Sequence, residues 1–186
     1  NEVSVLRFGT ANSEPRGVHT SGFGGTSWEH LFNSAELDVT AKPIIREKER
    51  EGHYRFMLWN NGISDPNSGG NIDGWGGLFN FDQVISDAVT VFGRVGWGDA
   101  DVTLSEFSLS CGFQINKPFG CKNSSTGFAY QYAELSSGGD QTIGEWFYRT
   151  KWQDDSSLYI GPVIQYYEDE SLNGSVIWGF RTSYSF

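Results

Sequence analysis

The sequence predicts an all-β fold of antiparallel, up-and-down strands, and three observations carry the prediction. The 186 residues include 14 Phe, 8 Tyr, 7 Trp and 24 Gly against 5 Pro and a single Met, a vocabulary of strand formers punctuated by turn formers. About ten segments alternate apolar and polar side chains with a period of two, and no helical stretch of comparable strength competes with them. The clearest is SVIWGFRTSYSF, where Val176, Trp178, Phe180, Thr182, Tyr184 and Phe186 alternate with Ile177, Gly179, Arg181, Ser183 and Ser185.

In chain order the strands read as VSVLRFGT, ELDVTAKPI, HYRFMLWN, GLFNFDQV, TVFGRVGW, LSEFSLSCGFQI, TGFAYQYAEL, GEWFYRTKW, SLYIGPVIQYY and SVIWGFRTSYSF. The charged PIIREKEREG between the second and third reads as a solvated turn or a single helical turn. Residues 1–186 suffice for one domain and are too few to need two. The connections differ by end. REKEREG, VISDA and QDDSS are short, whereas ANSEPRGVHTSGFGGTSWEHLFNS, NNGISDPNSGGNIDGWG and SSGGDQTI are longer and rich in Gly, Ser and Asn. GDAD and NKPFGCKNSS break that pattern, one short at the long-loop end and one longer at the other.

Acidic residues outnumber basic ones 23 to 13, for a net charge of -10, which argues against a nucleic-acid partner. No apolar run reaches the ~18 residues of a membrane helix, but a membrane β-barrel is untouched by that test because its strands alternate. NEVSVLRFGT shows neither the basic nor the apolar region of a signal peptide, so either one has been removed or residue 1 is not the natural start.

The faces of the strands frame the functional question. In EWFYRTKW, Trp146, Tyr148, Thr150 and Trp152 share one face and Glu145, Phe147, Arg149 and Lys151 the other. A soluble sandwich would turn the aromatic face to its core; a membrane barrel would turn it to lipid and the charged face to a wet lumen. Trp146 and Trp152 are about 20 Å apart along a strand, roughly 14 Å along the membrane normal after a ~45° tilt, a spacing that suits two interfacial girdles. Arg55, Arg94, Arg149 and Arg181 all fall out of phase with the most apolar face of their strands. On the lipid side each would cost ~2 to 4 kcal/mol at mid-membrane, so a barrel places them in its lumen.

Three blocks, GLFNFDQVISDAVTVFGRVGWGDADV, EWFYRTKWQDDSSLYIGPVIQYYEDE and SVIWGFRTSYSF, together resemble the C-terminal part of the carbohydrate-selective outer-membrane porins, the OprB-like family. The resemblance is close over residues 75 to 186 and looser over 1 to 74. It implies a transmembrane β-barrel in the bacterial outer membrane of a Gram-negative cell and passive diffusion of sugars or similar small polar solutes. The partners it implies are outer-membrane lipid, the solutes themselves, and the barrel assembly machinery, which reads a terminal Phe preceded by alternating aromatics, here Phe186. Family members have about sixteen strands and this chain supplies about ten. It is therefore a fragment of a longer porin, a part completed by another chain or by homo-oligomerisation, or a reduced ten-stranded relative.

On this reading the pore is lined by Arg55, Arg94, Glu106, Gln114, Arg149, Lys151, Gln165 and Arg181, beside Glu36, Asp38 and Lys42, and Phe147, Tyr159 and Tyr167 face inward to meet sugar rings. Trp146, Tyr148, Trp152, Trp178, Phe180, Tyr184 and Phe186 face lipid. Each arginine has two available roles, contact with the solute or an ion pair that only braces the wall. No cofactor or metal site is expected, and no catalytic residue. A secreted carbohydrate-binding β-sandwich is the alternative, and a small barrel enzyme using His19 or His30 with Asp99 or Asp101 is a weaker one. Finally, if CGFQINKPFGC turns around Asn116, Cys111 and Cys121 oppose each other within the ~5.5 Å Cα separation of a disulfide, in keeping with an oxidising periplasm. A turn placed later, at KPFGCKNSS, would leave Cys111 in the strand facing lipid and Cys121 free.

Overall fold

The computed structural model of the protein describes residues 3–12, 31–64, 71–153, 157–170 and 174–184. Twelve strands form: β1 (Val3–Asn12), β2 (Leu31–Ala41), β3 (Ile44–Ile45), β4 (Lys48–Glu49), β5 (Gly52–Ser64), β6 (Asn71–Val84), β7 (Val89–Gly98), β8 (Ser105–Asn116), β9 (Ser124–Leu135), β10 (Asp140–Lys151), β11 (Leu158–Asp169) and β12 (Ser175–Tyr184). Ten of them make one antiparallel sheet in the order β1-β2-β5-β6-β7-β8-β9-β10-β11-β12, every strand beside its neighbour in the chain. All ten expected strands are present. Among the described residues β1 and β12 do not pair with each other, so the sheet is open.

The remaining two strands lie in PIIREKEREG, which is neither an irregular turn nor helical. Ile44 pairs Glu49 and Ile45 pairs Lys48, and Arg46 and Glu47 close the hairpin at φ of 51° and 66°. Positive φ at both central residues is the turn geometry that matches strand twist, adopted here without glycine. The Gly-rich connections are shorter than the composition suggests. In SSGGDQTI the turn is confined by Gly138 and Gly139, at φ of 89° and 83°, and Asp140 to Ile143 already pair with β9. Trp146 therefore stands mid-strand, and aromatics are spread along the apolar face instead of gathering at two strand ends.

A β-sandwich needs a second sheet to enclose a dry core. Among the described residues the only other sheet is the β3-β4 hairpin, and the buried hydrophobic side chains are Ala133 and Val163. Large apolar groups lie open instead, Phe8 at 77 %, Trp178 at 74 % and Phe180 at 67 % exposure. The secreted-sandwich alternative fails on this packing.

The disulfide expectation is corrected. Both cysteines are free and exposed. The chain turns after Asn116, through Lys117, Phe119 and Gly120 at φ of 57°, 56° and 80°, and Asn116 pairs Ser125 as β9 begins. Cys121 thus sits in the turn, while Cys111 lies opposite Tyr130 and Gly93, about 16 Å up the strand. Alkylation of the denatured, unreduced chain should add two labels; none would mean that a bridge forms after all.

Candidate functional site

Residues directly opposite one another across antiparallel strands point to the same face, so the register assigns every side chain. Asp38, Arg55, Asn80, Arg94, Ser110 and Gln131 stand opposite one another in a continuous row across β2, β5, β6, β7, β8 and β9. Glu145 opposite Ala129 and Gln165 carries the same face onto β10 and β11, and Arg181 opposite Gly161 carries it onto β12. Gln114, Arg149 and Lys151 share it, as do Glu36, Phe147, Tyr159 and Tyr167. Glu106 is skipped by the pairing, in a bulge between Ser105 and Phe107.

The opposite face carries Trp146, Tyr148, Trp178, Phe180 and Tyr184, with Phe56, Leu58, Phe81, Phe113 and Phe128. Trp152 continues the same phase beyond β10, its backbone N–H donating to the Leu158 carbonyl at 2.9 Å. Phe186, His19 and His30 lie outside the described residues. Asp99, a candidate acid for the enzyme alternative, is taken up by its turn, accepting the Trp75 backbone N–H at 2.8 Å. Among the described residues no cluster of His, Cys, Asp and Glu could hold a metal ion.

The structure divides the arginines into two kinds. Arg7 Nη1 lies 2.6 Å from Glu36 and 3.0 Å from Asp38, which Arg55 also approaches at 3.5 Å, so three strands are braced by one ionic cluster. Arg181 reaches across β11 to Glu145 in a bidentate pair, both contacts 2.8 Å, and Gln165 from the strand between donates to the same carboxylate at 2.6 Å. Glycine at 161, opposite Arg181, lets β11 lie close against β10, where a β-carbon would meet the Tyr148 carbonyl. Arg94 and Arg149 form no ion pair among the described residues. Arg94 opens into a hollow of about 380 Å³ with Asn80, Phe92, Gln131, Glu145 and Gln165, contributed by β6 to β11. A hollow shared by that many consecutive strands means that the sheet is concave on its polar face.

Several groups here escaped the sequence reading. Phe32 and Trp59 stack at 6.1 Å on the polar face near the long-loop end, and Phe92 lies over Gly112 on the adjacent strand. A β-carbon at 112 would meet both that ring and the Phe128 carbonyl, so the glycine lets the aromatic lie flat against the wall. Trp59 and Phe92 each stand opposite a glycine, Gly76 and Gly112, and those glycines inside strand segments are the signal that the sequence offers.

Charge is also sorted along the strands. The long-loop end carries Asp73, Asp99, Asp101, Glu106, Glu134, Asp140, Glu168, Asp169 and Glu170, and no Lys or Arg among the described residues. Among the described residues the short-turn end carries Lys42, Arg46, Lys48, Arg50, Lys117, Lys122 and Lys151 against Glu47, Glu49, Glu51, Asp82 and Asp87. The Arg50 guanidinium, by hydrogen bond and then by charge, with Lys48 behind it, holds the Asp87 carboxyl below the usual carboxylate range.

A protein-family model described as carbohydrate-selective porin, OprB family, matches residues 7–150. The match takes in the N-terminal strands where the resemblance was looser, together with the first of the three blocks that suggested it. No curated protein and no solved structure matches the chain significantly.

Proposed function

Because the chain belongs to the OprB family of carbohydrate-selective porins, we propose that its sheet is the wall of an outer-membrane channel, concave polar face to the lumen and aromatic face to lipid. The family is one of the outer membrane and points to transport rather than to an enzyme. The observation that carries the proposal is the unbroken phase: across ten strands, mid-strand charge falls on one face and large aromatics dominate the other. Lipid tolerates only the second. The solutes are sugars or other small polar molecules, met by Arg94 and Arg149, neither of which is in an ion pair among the described residues, by Asn80, Gln114 and Gln131, and by aromatic faces such as Trp59 and Phe92. Contacts of this kind are individually weak, which conduction requires.

The open edges extend the proposal. β1 and β12 are exposed on both faces, Val5 at 39 % and Ile177 at 52 % on one and Leu6 at 61 % and Trp178 at 74 % on the other, and long apolar edges of this kind must be paired to avoid aggregation. Further strands, from the same polypeptide or from another chain, pair there and close the barrel. Ten strands alone would give a lumen little wider than the eight-stranded barrels that side chains fill.

Reconstitution tests the function. Extraction should need detergent, unboiled protein should migrate anomalously on a denaturing gel, and proteoliposomes should swell in isotonic neutral sugar. A chain that is soluble without detergent and leaves liposomes impermeable to sugar contradicts the proposal.

A further inference from the structure

At the short-turn end a second hollow, of about 420 Å³, brings together Lys117, Lys122, Arg149, Lys151, Tyr159 and Asp87. Arg149 and Lys151 sit over the same Tyr159 ring, 5.4 Å and 5.8 Å from its centroid. The Arg149 guanidinium is held by neutral groups: Nε donates to Ser125 Oγ at 2.8 Å and Nη2 to Gln114 Oε1 at 3.2 Å. Gln114 is itself oriented by donating from Nε2 to Asn116 Oδ1 at 2.8 Å. Nη1 has no partner among the described residues. Lys117 occupies the left-handed region, φ 57° and ψ 46°, and its backbone N–H donates to the Ser124 carbonyl at 2.9 Å, which fixes the turn beside the hollow. Asp87, the carboxylate of the hollow, is engaged by Arg50 and Lys48.

Four cations therefore line a hollow whose one carboxylate among the described residues, Asp87, is already engaged elsewhere, and one of the four is oriented by partners that leave its charge uncompensated. Like charges kept so close await a counter-ion. We propose that this hollow binds an oxyanion, the phosphate or carboxylate group of a small solute, at the turn-end mouth of the channel. The inference rests on the channel reading for the route by which the solute arrives; binding itself needs no flux.

The test uses the detergent-solubilised chain at low ionic strength, with inorganic phosphate followed by phosphorus NMR and galacturonate and glucose followed by proton NMR. Phosphate and galacturonate should bind saturably and glucose should not. K117Q/K122Q should weaken both anions about ten-fold, the loss expected when charge-assisted contacts are removed. K42Q removes a cation from the same end but outside the hollow and should change affinity less than about two-fold. Absence of saturable binding, equal binding of glucose, or equal weakening by K42Q would overturn the site. A chain that binds phosphate yet passes no sugar upholds the site and sinks the channel; one that passes sugar and ignores phosphate does the reverse.

Discussion

Ile164→Arg should severely impair assembly into lipid, whereas Ile143→Arg should be tolerated. The two changes are chemically identical and sit on adjacent strands, but Ile164 stands opposite Trp146 and Trp178 on the aromatic face, and Ile143 opposite Gln131 and Tyr167 on the polar face. An arginine facing the middle of the bilayer costs about 2–4 kcal/mol, a large share of the stability of a chain this size. The same group at 143 enters a wet hollow beside Glu145, where its charge stays solvated and gains a partner. Heat-modifiable migration and urea unfolding in lipid measure both. Similar costs for the two variants would mean that the faces have been assigned wrongly.

The largest functional effect is expected at Arg94. With no carboxylate to satisfy, its guanidinium is available to solute hydroxyls; a hydrogen bond to a charged group is worth about 1.5–3 kcal/mol, and the lower figure corresponds to about a ten-fold loss of apparent affinity. Arg94→Ala should therefore raise the sugar concentration at half-maximal flux by that order and leave folding intact. Arg55→Ala should do the opposite. It strips one of two cations from Asp38, whose Oδ1 is already buried without a partner, so stability falls and solute affinity stays. Flux curves measured against sugar concentration, beside urea titrations, separate the two roles. An unchanged half-maximal concentration in Arg94→Ala removes it from the solute path.

That division between bracing and free arginines could not be read from the sequence, although the face they share could. Phase follows from alternation alone, since a one-residue slip would put Arg55, Arg94, Arg149 and Arg181 in lipid together. Partners do not follow from alternation. Glu145 and Arg181 lie two strands apart, and their bidentate contact spans β11, a relation that no spacing along the chain announces. Loop length is not legible in composition for a related reason: in SSGGDQTI two glycines at positive φ suffice to reverse the chain and release Asp140 to Ile143 into β10. Nor does composition centre the hairpin between β8 and β9: Lys117, Phe119 and Gly120 supply its positive φ values beyond Asn116, so Asn116 pairs Ser125 and Cys121 falls in the turn. The axial sorting of charge was present in the sequence. Assigning each Asp, Glu, Lys and Arg to the end at which its connection falls would have found it, whereas the net charge of -10 conceals it.

The central claim is that the aromatic face meets lipid and the concave polar face meets water, and tryptophan fluorescence in brominated lipid tests it most directly. Trp146 and Trp59 stand on opposite faces of the one sheet, so single-tryptophan chains retaining one or the other report on each side. Lipid bromines should quench Trp146 strongly and Trp59 little, with aqueous iodide acting in the reverse order. Quenching of Trp59 by lipid with protection of Trp146, or indifference of both to the bromines, would contradict it.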